Sequence, residues 1–501
     1  MHAVGSAKIQ PINANVPCTS TPFAQLLVIA RLTRCDVGLV DRVPDDVLLE
    51  IFDFCGDEKD ITIIQSRSTI RSTKRFQAWR TLVHVCRRWR SIVFKSPRRL
   101  DLRLLCTHRT PARDTLDGWP PLPLVILCDQ WIECVDDVVA ALERSNRVCR
   151  ITLSNVSSWE LEKLWAAMQE PFPELTDLEL SSYDETVAAL PSSFLGGSAP
   201  RLRELYFRGI PVPGLPKLLL STTHLVILSL NHIPHSGYFS PEAMAATLST
   251  LTSLGSLLLA FQSPRSCPHP ASRHQPPPTR FALPVLRSFS FRGVGEYLDD
   301  LVAHIDAPQL NKLDITFFNQ IVFGTPQFIV FVSRTPTLAP LERANVVFRN
   351  GAVRVNLSSR TTRQLDGLNM RILCRELDWQ VSSMEQVCTW CLPPLPMLKD
   401  LYISELPKWQ PNWKDNMDNT QWLELLHPFR AVKNLYLSEK FARRIVPALQ
   451  ELAGGVTTEV LPILQNIFLE RLQPSGPVQE GIRQFSATRL VNNPIAVSRW
   501  E

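Results

Sequence analysis

Apolar residues along this chain keep two rhythms. From Asp41 to Leu102 they recur at helical spacing. Val47, Leu48, Ile51 and Phe52 fall on one face at i, i+1, i+4 and i+5. Pro44 fits a first helical turn, where its missing N–H is no loss, and Asp45 and Asp46 suit the positive end of the helix dipole. After a polar insert, Leu82, Val83, Cys86, Trp89, Ile92 and Val93 form a second apolar stripe, flanked by Arg87, Arg88 and Arg90. The pattern predicts two short amphipathic helices, neither able to bury its face alone.

From about residue 100 the rhythm changes. Leu100–Leu105 alternates as a strand does, and a phrase L-x-x-L-x-L then repeats. It begins at Val148, Leu175, Leu202, Leu225, Leu254, Leu286 and Leu310, and again at Leu398, Val432 and Leu464. Clear neighbours lie 23 to 34 residues apart, and degraded versions at Leu341 and Leu365 partly fill the gap. The last three positions alternate with the period of a strand. Pro-x-Leu often leads in, as at Pro173, Pro200, Pro308, Pro396 and Pro462, where proline fixes a corner outside the ladder. Helical stretches lie between phrases. Two of them, from Ser158 and from Ser240-Pro241, open on a serine suited to an N-cap. One strand and one helix per repeat predict a curved α/β solenoid. Its outward strand positions include Glu179, Tyr206, Asp314, Tyr402 and Tyr436.

Composition fits a chain of 501 residues with a sizeable core: 45% apolar, 20% charged. Net charge is only +5, yet Ile61–Leu100 holds eleven basic residues and no acid, after an acid-rich stretch from Asp36 to Asp60. Such a run can meet nucleic acid or steer an acidic protein. The apolar stripe beside it favours protein docking. The twelve cysteines are scattered, many in apolar surroundings, which suits reduced thiols and a cytoplasmic or nuclear protein. No stretch reaches the ~20 apolar residues of a membrane span. Cys388-Thr-Trp-Cys391 is a lone pair without the second pair a zinc site needs, and Cys267-Pro-His269 has no further ligands. No phosphate-cradling glycine loop or nucleophile elbow is present. No catalytic residue, metal or cofactor is therefore expected.

Val43-Pro44 with Val47-Leu48-Leu49-Glu50-Ile51-Phe52, followed by Val85-Cys86-Arg87-Arg88-Trp89-Arg90, resembles the F-box. Val43 stands where the family usually has leucine, and the segment Gly56–Phe76 is longer than its usual link. The resemblance implies a helical module that docks a Skp-type linker, and through it a cullin, in an SCF-type ubiquitin ligase. The residues implied in docking are Pro44, Leu48, Ile51, Phe52, Val85, Trp89 and Arg90, with Trp89 the central anchor. The repeats resemble the leucine-rich repeats that follow the F-box in many substrate adaptors, although Asn231 alone supplies the usual asparagine close after the phrase. The combination is similar to a large fungal set of F-box proteins. The implied fold class is α/β, a short helical F-box module followed by a curved leucine-rich-repeat solenoid. The expected order is a disordered or peripheral segment (1–40), the F-box-like module (41–100, insert near 56–78), the solenoid (101–475, proline-rich insertion 264–284) and a C-terminal tail (476–501). The implied function is recognition of a protein substrate, held on Glu179, Tyr206, Asp314, Tyr402 and Tyr436. Two alternatives stay open. One is a repeat scaffold without ligase association, whose stripe from Leu82 to Val93 packs on Leu100–Leu105. The other is a basic nucleic-acid-associated protein.

Overall fold

Pro44 opens the first helix, its carbonyl accepting from the Leu48 N–H at 3.1 Å. The computed structural model describes residues 43–56, 79–107, 112–128, 135–184, 186–213, 215–264, 280–319, 324–338, 341–359, 366–406, 417–453, 460–470, 476–489 and 495–500. The N-terminal segment 1–40, the insert beyond Gly56 and the proline-rich residues 265–279 lie outside the described residues. The chain divides into two compact units: Met1–Cys106 with Asp114–Val125, and Thr107–Arg113 with Ile126–Glu501.

In the first unit α1 (Asp45–Gly56) packs on α2 (Arg87–Lys95). Leu48 and Phe52 are buried, as are Leu82, Val83, Trp89, Ile92 and Val93. The Phe52 and Trp89 ring centroids are 4.7 Å apart. Cys86 caps α2, its Sγ accepting from the Trp89 N–H at 3.4 Å. The indole N–H of Trp79 donates to the Arg103 carbonyl at 3.1 Å, and its ring meets Trp119 edge-on at 5.2 Å. The polarised charges face one another here. Arg88 pairs with Asp45 at 2.6 Å, and Arg99 pairs with Glu50. Exposed pairs of this kind add about 0–1 kcal/mol each. The strand expected over Leu100–Leu105 starts only at Leu104, because the chain is still turning at Asp101 (φ 45°). This strand is β1 (Leu104–Thr107). Beyond α3 (Ala112–Gly118), Pro123 accepts from the Leu104 N–H at 2.8 Å, just before β2 (Leu124–Cys128).

The second unit is a curved, largely parallel α/β solenoid. After α4 (Val135–Leu142), β3 (Val148–Leu153), β4 (Asp177–Ser181), β5 (Glu204–Arg208), β6 (Ile227–Ile233), β7 (Ser256–Phe261), β8 (Ser288–Gly293) and β9 (Lys312–Phe318) pair in chain order. The phrase explains the ladder. Leu178, Leu205, Leu228, Leu257, Phe289 and Leu313 stand in register and are buried on the helical side. The helices between strands cover that side. They are α5 (Ser158–Ala167), α6 (Leu215–Leu219), α7 (Pro241–Leu248), α8 (Gly295–Ala303) and α9 (Pro326–Ser333). Ser240 caps α7 as its sequence suggests, accepting from the Ala243 N–H at 3.2 Å. For α5 the cap is Ser157, not Ser158. The buried Glu160 carboxylate accepts from the Ser157 N–H at 2.7 Å, while the Ser158 hydroxyl turns to Asp184. Gly209 (φ 69°) closes β5 at a turn where an added Cβ would meet the Ser182 carbonyl at 2.3 Å.

The regular order breaks after β9. Three strands, β10 (Arg343–Arg349), β11 (Ala352–Ser358) and β12 (Gly367–Leu373), form a meander. β12, not β10, pairs with β9 in parallel, β11 runs antiparallel to both its neighbours, and β10 pairs with β13 (Asp400–Glu405). The degraded phrases at Leu341 and Leu365 thus mark the outer strands of an inserted hairpin system rather than two ordinary repeats. α10 (Leu377–Trp390) leads from β12 back to β13. Regular pairing then resumes through β14 (Asn434–Leu437), β15 (Asn466–Leu469) and β16 (Ala496–Arg499), with α11 (Asn419–Leu426), α12 (Glu439–Ala453) and α13 (Pro477–Arg489). Residues 476–501, expected as a tail, instead supply α13, packed on α12, and β16, paired with β15. The sequence pattern missed this repeat because β16 carries no leading leucine and all four of its residues are exposed.

Candidate functional site

Two surfaces concern function. On the first unit, the residues implied in docking divide by burial. Leu48, Phe52 and Trp89 are inside, Trp89 being 8% exposed, so they build the module's core and do not present an open stripe. Pro44, Val85 and Arg90 are exposed, and Ile51 is half-buried. Val47, which helical periodicity placed with the core set, is 44% exposed, and Val85 is 48% exposed. Arg90 is held in place by donating to the Val83 carbonyl at 2.9 Å. Among the described residues of this unit, the large apolar side chains that face outward, Val47 and Val85, thus lie in the first turns of α1 and in the turn before α2.

On the second unit, strand alternation sends every other residue to the open face of the sheet, away from the helices. Glu179, Tyr206, Asp314, Tyr402 and Tyr436 all reach it, and register joins them in a single row. Glu179 stands opposite Tyr206, and Tyr402 opposite Tyr436. The face changes chemistry along its length. Its first strands carry Asp177, Glu179 and Glu204. Burial raises the Glu179 and Glu204 carboxyls above the usual carboxylate range, against the lowering pull of Arg150. The Tyr206 hydroxyl donates to Glu204 at 3.3 Å. Burial first, then the neighbouring carboxylates, push the Tyr206 phenol upward.

The last strands carry an aromatic ladder. Tyr402, Tyr436 and Phe468 stack at 4.1 and 4.4 Å, nearly parallel, with Trp500 edge-on to both tyrosines and the Arg343 guanidinium 5.5 Å from the Tyr402 ring. Burial and the Tyr402 hydroxyl push the Tyr436 phenol up to about 12. Beside the rings, the side-chain amide of Asn466 donates to Asn434, and that of Asn434 donates to Asp400, each at 2.7 Å.

Between these ends lies a basic stretch that the repeat pattern did not single out: Arg208 and His232, then Arg292, Arg371, Arg354 and Arg349. Burial first, then Arg208 and Arg292, hold the His232 imidazole below its ordinary value. These residues lie in different phrases, and only the register brings them together.

The cysteine pair of α10 is turned inward. Burial pushes the Cys391 thiol up to about 12 and the Cys388 thiol higher still, the opposite of an activated thiolate. Among the described residues no group of histidine, cysteine or carboxylate side chains is arranged to hold a metal ion, and no helix is long and apolar enough to cross a membrane.

Residues 36–116 match the family model described as F-box-like domain. No curated protein matches the chain. Among solved structures, the leucine-rich repeat-containing protein LegL7 from Legionella pneumophila is similar over 77% of this chain and 97% of its own, at 13% identity and a TM-score of 0.26. The helical pair with its Phe52–Trp89 core lies within the matched residues, and the phrase-bearing parallel ladder lies beyond them. Residues 36–116 thus match an F-box-like domain, and the second unit is a curved, largely parallel α/β solenoid built on the repeated L-x-x-L-x-L phrase.

Proposed function

We propose that the protein is a non-catalytic substrate adaptor of an SCF-type ubiquitin ligase. Its first unit docks a Skp-type linker, and through it a cullin, while the open face of the solenoid holds a protein substrate. The observation that carries this reading is the F-box-like match at residues 36–116, on a helical pair whose Val47 and Val85 remain exposed. In this reading Pro44, Val47, Ile51 and Val85 make apolar contact, Arg90 lies at the rim, and Leu48, Phe52 and Trp89 support them from beneath. Buried anchors at such interfaces are worth about 2 kcal/mol or more each. Catalysis belongs to the ligase. The adaptor raises the local concentration of substrate near the ubiquitin-loaded enzyme. Glu179, Tyr206, Asp314, Tyr402 and Tyr436 are the proposed substrate contacts.

The test is retention of the full chain on an immobilised Skp-type linker at moderate salt. Wild type is retained, whereas Val47→Asp and Val85→Asp each abolish retention without loss of fold by circular dichroism. A folded wild type that is not retained removes the adaptor reading. It leaves the repeat scaffold, which the inward-turned stripe of the first unit suits.

A further inference from the structure

Among the helices that back the sheet, α10, α11 and α12 leave a cavity of about 360 Å³. α10 packs on α11 and α11 on α12, while α10 contacts β11 and β12, and α12 contacts β13 and β14. The cavity is therefore separate from the open strand face. Two of its lining residues open helices: Leu377 is the first residue of α10, and Asn419 the first of α11. The positive ends of both helix dipoles adjoin it. The lining from α12 is a single helix face. Lys440, Arg443, Arg444 and Pro447 stand at i, i+3, i+4 and i+7, and all four reach the cavity. Lys440 and Arg443 are exposed, and Arg444 is half-buried.

The lining has two chemistries. Leu377 and Trp422 are buried and apolar, and the exposed ring of Pro447 extends that surface. Trp422 is fixed by the rings of Phe441 and Phe348, at 5.6 and 6.3 Å. Against this stand three basic side chains, and no described lining residue is acidic. Two carboxylates lie close without lining the cavity: Glu439 pairs with Arg443 at 2.6 Å, and Glu451 accepts from the Asn419 amide at 2.5 Å. The exposed Glu439 pair is weak, so a more highly charged anion competes for Arg443.

We propose that this cavity binds a small organic phosphate monoester. The phosphate meets Lys440, Arg443 and Arg444, and an apolar body of ring size rests on Leu377, Trp422 and Pro447. A phosphate monoester brings ~1.5–2 negative charges and three acceptor oxygens, which suits three cations from one helix face better than a carboxylate does. The volume selects for the body. It is at the lower end of small-molecule sites, and at ~30 Å³ per water it holds far more than a bare phosphate fills. The site is independent of docking by the first unit and of substrate binding on the open face.

The test uses the full-length protein without any linker. Adenosine 5′-monophosphate and 1-naphthyl phosphate are titrated calorimetrically, beside adenosine, 1-naphthol and inorganic phosphate. Wild type binds at least one of the two organic phosphates, and does so at least tenfold more tightly than either of its separated halves. Lys440→Gln combined with Arg443→Gln weakens that binding by on the order of tenfold or more. Both side chains are exposed, so the double variant keeps the wild-type thermal midpoint and its loss of binding is not unfolding. Arg201→Gln, an exposed change in a distant repeat, leaves binding unaltered. The proposal is overturned if wild type binds neither organic phosphate, if inorganic phosphate binds as tightly as they do, or if the double variant binds like wild type.

Discussion

Trp89 takes its role from what covers it. The apolar stripe at helical spacing identifies an indole that must be buried, but the spacing is silent on whether the cover is the same chain or another. Here Phe52 covers it. Trp89→Ala should therefore cost the first unit about 3–5 kcal/mol, as large aromatic deletions from cores do. Urea unfolding of that unit should show it, while Val85→Asp leaves the same transition in place. An equal loss for both substitutions would contradict the division drawn between core and surface. The five open-face residues were legible because strand alternation alone dictates which side a residue faces. The arginine cluster was not. Arg292, Arg349, Arg354 and Arg371 lie in four different strands, and which strand neighbours which is set by pairing that a repeat pattern assumes to be sequential.

At the scale of elements, α10 is fastened by one side chain. Gln380 is fully buried, and its amide donates to the carbonyls of Arg349 and Cys374 at 3.0 Å each. It thus ties the helix to the turn between β10 and β11 and to the exit of β12. Gln380→Leu keeps the volume but removes both hydrogen bonds, the one to Cys374 buried, a loss of about 1–3 kcal/mol in all. A fall in the thermal midpoint accompanied by faster amide exchange over β10–β12 is the expected outcome. Unchanged exchange there would mean that the tie is not structural. The hairpin itself had a readable signal. Asn350-Gly351 sits between alternating apolar runs, and Gly351 adopts φ 82°, as a two-residue hairpin turn demands. A search tuned to L-x-x-L-x-L passes over β11, because Val353, Val355 and Leu357 alternate without the leading leucine. Gly367 (φ 115°) shows the same constraint at the start of β12, where an added Cβ would meet the Leu357 carbonyl at 2.3 Å.

Across the second unit, each strand on either side of the meander rests on the one before it. Stability in such arrays is close to a sum of repeats and nearest-neighbour contacts. The repeated phrase made that regular part of the fold legible, since every inward leucine faces its counterpart in the next repeat. The inverted order β9-β12-β11-β10-β13 has a consequence for a chain made from its N-terminus. Each strand up to β9 can join the sheet as soon as it leaves the ribosome. β10 cannot, because its place beside β9 is reserved for a strand synthesised later. Growth of the sheet must wait until Leu373 has emerged, with an apolar hairpin exposed in the interval. A chain ending at residue 360 should be cut by protease within 341–359 while β3–β9 stay protected, and a chain ending at residue 395 should resist cleavage at both. Nascent protein thus passes through a brief window in which the hairpin is the part of the solenoid most in need of a chaperone.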